Sequence, residues 1–272
     1  MKGLSIITMC PVHSTMLRRL FQSRSSPADP VDPPCVDDET VVYAVGDVHG
    51  RADLLERLLA KIRADAAQRP QERKVLIYLG DYVDRGLESR QVIDSLIGQG
   101  GDGLERVFLK GNHEDAMLQF LDSTKIGSSW MGFGGDATLY SYGVDVFGKP
   151  PEGVERLDHI QRQLRDNTPP EHVAFLEGLE LYHQEGDYFF VHAGVRPGLG
   201  LGDQDPNDMM WIRDEFLNSR DDFGKVVVHG HSIKPQPVVR SNRIGIDTGA
   251  FATGVLTCLV LAGTEQSFIQ TP

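Results

Sequence analysis

Five of the nine histidines in this chain lie within two residues of a glycine and close behind a short apolar run. Together with one acidic segment they form five blocks: Gly46-Asp47-Val48-His49-Gly50, Gly80-Asp81-Tyr82-Val83-Asp84-Arg85-Gly86, Gly111-Asn112-His113-Glu114, Val191-His192-Ala193-Gly194 and His229-Gly230-His231. Carboxylates, imidazoles and one amide, with no cysteine among them, favour hard to borderline cations such as Mn²⁺, iron or Zn²⁺ over a thiolate zinc site. The glycines allow tight turns and a close approach of backbone to ion. One block alone reads as a turn holding a satisfied histidine, because buried polar groups usually just find partners. Five in series, each after an apolar run, point instead to a shared metal site.

Such blocks need a scaffold that carries them to one place. Val41 to Val45, Val75 to Leu79 and Arg106 to Leu109 read as strands, and helical spacing follows in Leu54, Leu55, Leu58, Leu59 and Ile62, in Ser89 to Gln99 and in Glu114 to Leu121. Three β-loop-α units predict an α/β domain whose ligand loops open beyond the carboxyl ends of its strands. Val154 to Glu177 looks helical, and residues 123–180 suggest an inserted cap in which Trp130, Phe133 and Tyr140 could fill a core or stack on a base. The last third reads as strands, Tyr188 to Val191, Val226 to Val228, Ile244 to Ile246 and Val255 to Leu261, separated by turns rather than helices. A mixed or antiparallel sheet fits it.

The 272 residues allow one large domain or two small ones. At 40% hydrophobic and 24% charged, the composition excludes collagenous, coiled-coil and wholly disordered chains. Residues 1–39 differ from the rest: Pro27, Pro30, Pro33 and Pro34 alternate with Asp29, Asp32, Asp37, Asp38 and Glu39, a composition expected of a disordered leader. Within it, Met16 to Phe21 is too short for a stable amphipathic helix. No apolar run reaches the ~20 residues that cross a bilayer. Three scattered cysteines, Cys10, Cys35 and Cys258, fit neither a disulfide framework nor a zinc ribbon, and Met1 to Met9 is too short for a secretory apolar region. A cytoplasmic setting follows. With 27 basic against 39 acidic side chains the net charge is −12, which repels nucleic acid, and no basic strip interleaved with aromatics offsets it.

Taken together the five blocks, spanning Gly46 to His231, resemble the calcineurin-like metallophosphoesterases and, within them, the phosphoprotein phosphatase group, whose blocks run GD-x-HG, GD-xx-DRG, GNHE, HAG and GH. The resemblance implies a sandwich of two mixed β-sheets flanked by helices. It also implies a two-metal site, with Asp47, His49 and Asp81 on one ion and Asp81, Asn112, His192 and His231 on the other. Asp81 would bridge, and a bridging hydroxide would attack phosphorus directly. His113 would protonate the leaving group with Asp84 orienting it, while Arg85, Asn112 and Arg213 would hold the phosphate. His229 is read as a partner of a ligand or an ordinary core residue rather than a ligand, and Asp247 as part of a turn near the site that could brace a histidine ligand; His13, His159, His172 and His183 match no block.

The substrate expected from this match is a phosphorylated protein, through phosphoserine or phosphothreonine. The same blocks also resemble symmetrical diadenosine tetraphosphate hydrolases, so a small phosphate ester or dinucleoside polyphosphate is the alternative. A noncatalytic binding protein on the same fold would lack a ligand or His113, and neither is missing.

Overall fold

The computed structural model describes residues 33–272. Most of the expected leader, including Cys10, His13 and Met16 to Phe21, lies outside the described residues. Its end does not: Val36 is buried and its N–H donates to the Gly263 carbonyl, while Cys35 N–H donates to Asp187. The packed chain therefore begins several residues before Thr40, and Cys35 belongs to it.

Strand β1 (Thr40–Val45) leads through a loop to α1 (Ala52–Ala66), β2 (Arg73–Tyr78) to α2 (Ser89–Ile97), and β3 (Glu105–Phe108) to α3 (Asn112–Asp122). Helices α4 (Gly127–Trp130) and α5 (Asp136–Ser141), joined by a π-turn at Met131–Gly135, precede α6 (Arg156–Asn167) and α7 (Pro170–Glu177). Then come β4 (Tyr182–Glu185), β5 (Tyr188–Val191), α8 (Pro206–Trp211), α9 (Asp214–Leu217), β6 (Val226–His229), β7 (Val238–Val239), β8 (Arg243–Gly245), α10 (Ala250–Thr253), β9 (Thr257–Ala262) and β10 (Glu265–Gln270). The last third thus contains short helices that the sequence reading replaced with turns.

Two five-stranded mixed sheets result, in the orders β10-β9-β1-β2-β3 and β4-β5-β6-β8-β7. In the first, β1, β2 and β3 are parallel; in the second, β5, β6 and β8 are. Period-two alternation explains how both faces are covered. Val42 and Ala44 of β1 point into a cluster with Val75, Ile77, Phe190, Val228 and Ile244, between the sheets. Val41, Tyr43 and Val45 point the other way, onto Leu54, Leu55, Leu58 and Ile62 of α1. On the far side of the second sheet, Phe189, Val191 and Val227 bury Met209, Ile212 and Phe216. Parallel strands in each sheet put the catalytic-type loops at common edges.

Residues 123–180 are not a separate layer. Trp130, Leu139, Tyr142, Ile160, Leu164 and Leu176 belong to the same buried cluster as α1 to α3. The expected helical stretch Val154 to Glu177 is two helices, because Pro169 and Pro170 cannot continue α6 but suit the start of α7. Among the described residues no helix is long and apolar enough to cross a membrane.

Candidate active site

The carboxyl ends of β1, β2 and β3 deliver Asp47 and His49, Asp81 and Asp84, and Asn112 and His113; those of β5 and β6 deliver His192 and His231. The first two loops are stitched together: the N–H groups of Val48 and His49 both donate to the Asp81 carbonyl, at 3.0 and 2.8 Å. Among the described residues the only non-glycine positions with positive φ are His49, Asp81, Asp84, Arg85 and His231, at +46°, +52°, +72°, +67° and +61°. Each such conformation costs on the order of 1–3 kcal/mol and persists only where the surroundings over-determine it. All five are site residues.

Asp81 is the hub. Its Oδ2 lies 3.4 Å from His49 Nε2 and 3.8 Å from His113 Nε2, and its Oδ1 lies 3.4 Å from His192 Nε2. His192 Nε2 in turn lies 3.0 Å from Asn112 Oδ1 and 3.2 Å from His231 Nδ1. Two groups have ligand atoms close enough for one ion each: His49, Asp81 and His113; and Asp81, His192 and His231. Asp47 stands slightly aside. Its Oδ2 is 4.0 Å from His49 Nε2, and it accepts the His231 N–H at 3.0 Å.

Proton positions show why a cation fits. His49 Nδ1 faces the Val83 carbonyl and His192 Nδ1 the Leu79 carbonyl, both at 2.9 Å, so both rings carry their proton there. The His192 Nε2 lone pair then points at carboxylate and amide oxygens, acceptor against acceptor unless a positive charge intervenes, whereas His49 Nε2 lies between the Asp81 carboxylate and the Arg85 guanidinium. Burial pushes His49 down to about 3 and lowers His192 and His231, which keeps the imidazoles neutral. Burial raises Asp47 well above the usual carboxylate range, with Asp247 and Asp81 adding to the effect; burial also raises Asp247, to about 6. Asp247 Oδ2 and His231 Nε2 are buried without a hydrogen-bond partner among the described residues. Neutral imidazoles, crowded carboxylates and orphaned acceptors form a donor set suited to divalent cations.

A second cluster surrounds Asp84. Its Oδ2 accepts His113 Nδ1–H at 2.6 Å and the Trp130 indole N–H at 2.8 Å, and its Oδ1 accepts the Thr138 hydroxyl at 2.6 Å. The Asp84 N–H donates to Thr138 Oγ1 and Ser89 Oγ. Burial alone would lower His113, but the carboxylates of Asp81 and Asp84 outweigh it and raise its pKa. Helices α4 and α5 thus hold the carboxylate that holds the imidazole. The sequence reading missed this use of Trp130 and all of Thr138.

Glu114, quoted in the third block, is given no role there. This buried carboxylate accepts the N–H groups of Asp81 (2.8 Å), Tyr82 (2.7 Å), Val83 (3.2 Å) and Gly111 (2.9 Å). Four amide donors fix the backbone under Asp81, and the only signal in the chain is an acid at the third position of a helix.

Arg85 reaches across the hub, its Nη1 2.8 Å from His49 Nε2 and its Nη2 3.1 Å from His113 Nε2, with its guanidinium over the Phe251 ring at 4.9 Å. Beyond it opens a cleft of about 700 Å³ lined by Arg85, Arg213, Phe133, Asp136, His231, Ile233 and Phe251. Arg213 therefore lines the same cleft as Arg85. Phe133 sets its ring edge-on to His113 and Trp211, Trp130 is core, and Tyr140 is exposed. His229 lies outside both ligand groups, its Nδ1 against the Gly230 carbonyl, and His172 is a structural link between Tyr142 and Asp94.

A family model described as calcineurin-like phosphoesterase matches residues 40–243. Among curated relatives, an asymmetrical bis(5'-nucleosyl)-tetraphosphatase PrpE of Anoxybacillus flavithermus is 26% identical over 237 residues, covering 79% of this chain and 88% of that protein. Serine/threonine-protein phosphatase 2 of Salmonella typhimurium is 26% identical over 224 residues, covering 79% and 90%. In fold the chain is similar to a crystal structure titled a putative diadenosine tetraphosphatase, with TM-score 0.55 at 19% identity, covering 88% of this chain and 99% of that one.

Proposed function

The chain belongs to the calcineurin-like phosphoesterase family, and from that premise we propose that it is a two-metal phosphatase acting on phosphoserine and phosphothreonine in proteins. The observation that supports this most is Asp81, whose two carboxylate oxygens face different imidazoles, His49 and His192, at the same 3.4 Å.

Asp47, His49 and Asp81 would hold one cation, and Asp81, Asn112, His192 and His231 the other. When bound, the pair would supply the Lewis acidity that acidifies water near neutral pH and offsets charge on a phosphate ester. The chain's own residues do the rest. His113, its Nδ1 fixed on Asp84, gives a proton from Nε2 to the departing alkoxide. Arg85 turns from His49 and His113 to the phosphate oxygens, where its planar fork matches two of them, and Arg213 joins it from across the cleft.

Charge in the cleft favours a monoester. Its lining holds two arginines and one acid, Asp136, a net of one positive charge, closer to what a single phosphate group needs than to what a polyphosphate bridge needs. A dinucleoside polyphosphate is the second reading, supported by the names of several relatives and by Phe133 and Phe251, which offer faces for a base. Phosphoserine and phosphothreonine peptides assayed against diadenosine tetraphosphate, with Mn²⁺ supplied, discriminate the two. The proposal expects higher kcat/KM on the peptides; strong preference for the dinucleotide reverses it. In the same assay Arg85→Ala is expected to lower kcat/KM by at least ~10-fold, the scale of one lost charge-assisted contact. Unchanged kinetics would mean the arginine serves elsewhere.

A further inference from the structure

We propose that a basic pocket between the loop after α9 and the β7–β8 hairpin binds a phosphate-type oxyanion at a second site, away from the metal ligands. The inference does not rest on the proposed catalytic activity. The pocket has a volume of about 410 Å³, and Arg220, Arg240, Arg243, Asn218, Ser219 and Ser241 are among its lining residues, with no carboxylate in the lining. In a chain of net charge −12 this is an unusual concentration of donors.

Arg243 is the key residue. It is only 7% exposed, yet it has no carboxylate partner within ion-pair distance among the described residues, whereas Arg51, Arg69, Arg73, Arg106 and Arg196 each pair with an acid. Its Nη2 donates to the Leu217 carbonyl at 2.9 Å, and its guanidinium lies 5.9 Å from the centre of the Phe216 ring. A guanidinium has five N–H donors, and the Leu217 carbonyl accepts from one of its nitrogens. Burial of an unmatched charge is costly, and burial together with neighbouring Arg240 lowers the Arg243 pKa. An anion between these arginines would remove both penalties.

The pocket is also built rather than incidental. Asn242 ties the hairpin to the opposite loop through hydrogen bonds to the carbonyls of Ser219 and Asp221, at 3.3 and 2.9 Å, and the Arg240 N–H closes the turn onto the Arg243 carbonyl at 2.8 Å. Arg243 begins β8 and pairs with Val227, so it sits toward the start of the parallel strands, whereas His229 and His231 lie at or beyond the end of β6. The two sites are joined by α9. Arg213, in the cleft, caps one end of that helix, and Leu217 and Asn218, in the pocket, form the other.

The test is calorimetric titration of the metal-loaded full chain with inorganic phosphate at constant ionic strength. Two sites are expected in the wild type. Arg85→Ala weakens one, and the exposed pair Arg220→Gln and Arg240→Gln weakens the other at least tenfold while phosphatase turnover is kept. Arg243→Met, if it folds, abolishes that second site. Free phosphoserine in place of phosphate distinguishes an esterified from a free anion, and binding of either one at this site supports the proposal. A wild type whose phosphate binding is wholly lost in Arg85→Ala, binding undiminished in the double variant, or equal displacement by chloride would overturn it.

Discussion

Asp81→Asn is expected to yield a folded chain that no longer retains metal and whose turnover falls below about 1% of wild type. Loss of a partner behind a metal ligand already costs 10- to 100-fold, so loss of the carboxylate facing both histidine groups should cost at least the upper figure. The physical reason is local. Asn keeps one oxygen where Asp81 has two, and it withdraws the negative charge that faces His49, His113 and His192. Added Mn²⁺ should raise the melting temperature of wild type and leave the variant unmoved, since a ligand stabilises only a protein that binds it. Elemental analysis of purified protein and paired melts with and without Mn²⁺ check both parts. A variant that keeps two equivalents of metal and full turnover would dispose of Asp81 as the shared ligand.

His113→Asn should behave differently: metal content is retained and kcat falls ~10²-fold or more on an alkyl phosphate, the usual scale for an acid catalyst. The loss should shrink sharply on an aryl ester with a good leaving group, which departs without a proton. The Asp84 cluster allows a finer expectation. Trp130→Phe and Thr138→Val each remove one hydrogen bond to the Asp84 carboxylate, and a hydrogen bond to a charged group is worth about 1.5–3 kcal/mol. Each should therefore lower kcat on the alkyl ester by roughly 10-fold or more, with the same leaving-group dependence and unchanged metal content. If His113→Asn shows that dependence and the two variants do not, the indole and hydroxyl serve packing alone. If His113→Asn retains full activity on the alkyl ester, the proton comes from another group.

Much of the scaffold was legible because it rests on strong periodic signals. Val41 to Val45 with the leucines of α1, and Val75 to Leu79 with α2, are fully buried strands followed by amphipathic helices, and the glycine-flanked loops after them are where the structure puts the site. Weak signals were lost. Strand β10, Glu265–Gln270, is a mostly exposed edge strand whose polar sequence does not announce itself, and β7 has two residues. Helices α8, α9 and α10 span four to six residues, too few for a 3.6-residue period to show. The histidines and carboxylates of the site could be picked out by type and spacing. The roles of Trp130, Thr138 and Glu114 could not, because they depend on which backbone or carboxylate the fold brings to them. In sequence Trp130 could fill a core or stack on a base, and it fills the core; its N–H finds Asp84 through the packing of α4 against α3.

The glycines that border the ligands bear on how the protein could diverge. At Gly111 a methyl group would collide with Asp81 Oδ1 and the Asp81 nitrogen, and at Gly230 with Asp47 Oδ1. Gly111 has φ −92° and ψ 171°, which any residue adopts, so the position demands an absence of volume and not a special backbone. In a saturation library both positions should tolerate nothing else, while the exposed Ser241 and Asn218 accept many replacements. Drift toward new substrates would then be confined to the rim, with the interior of the cradle locked by the space of a single missing carbon.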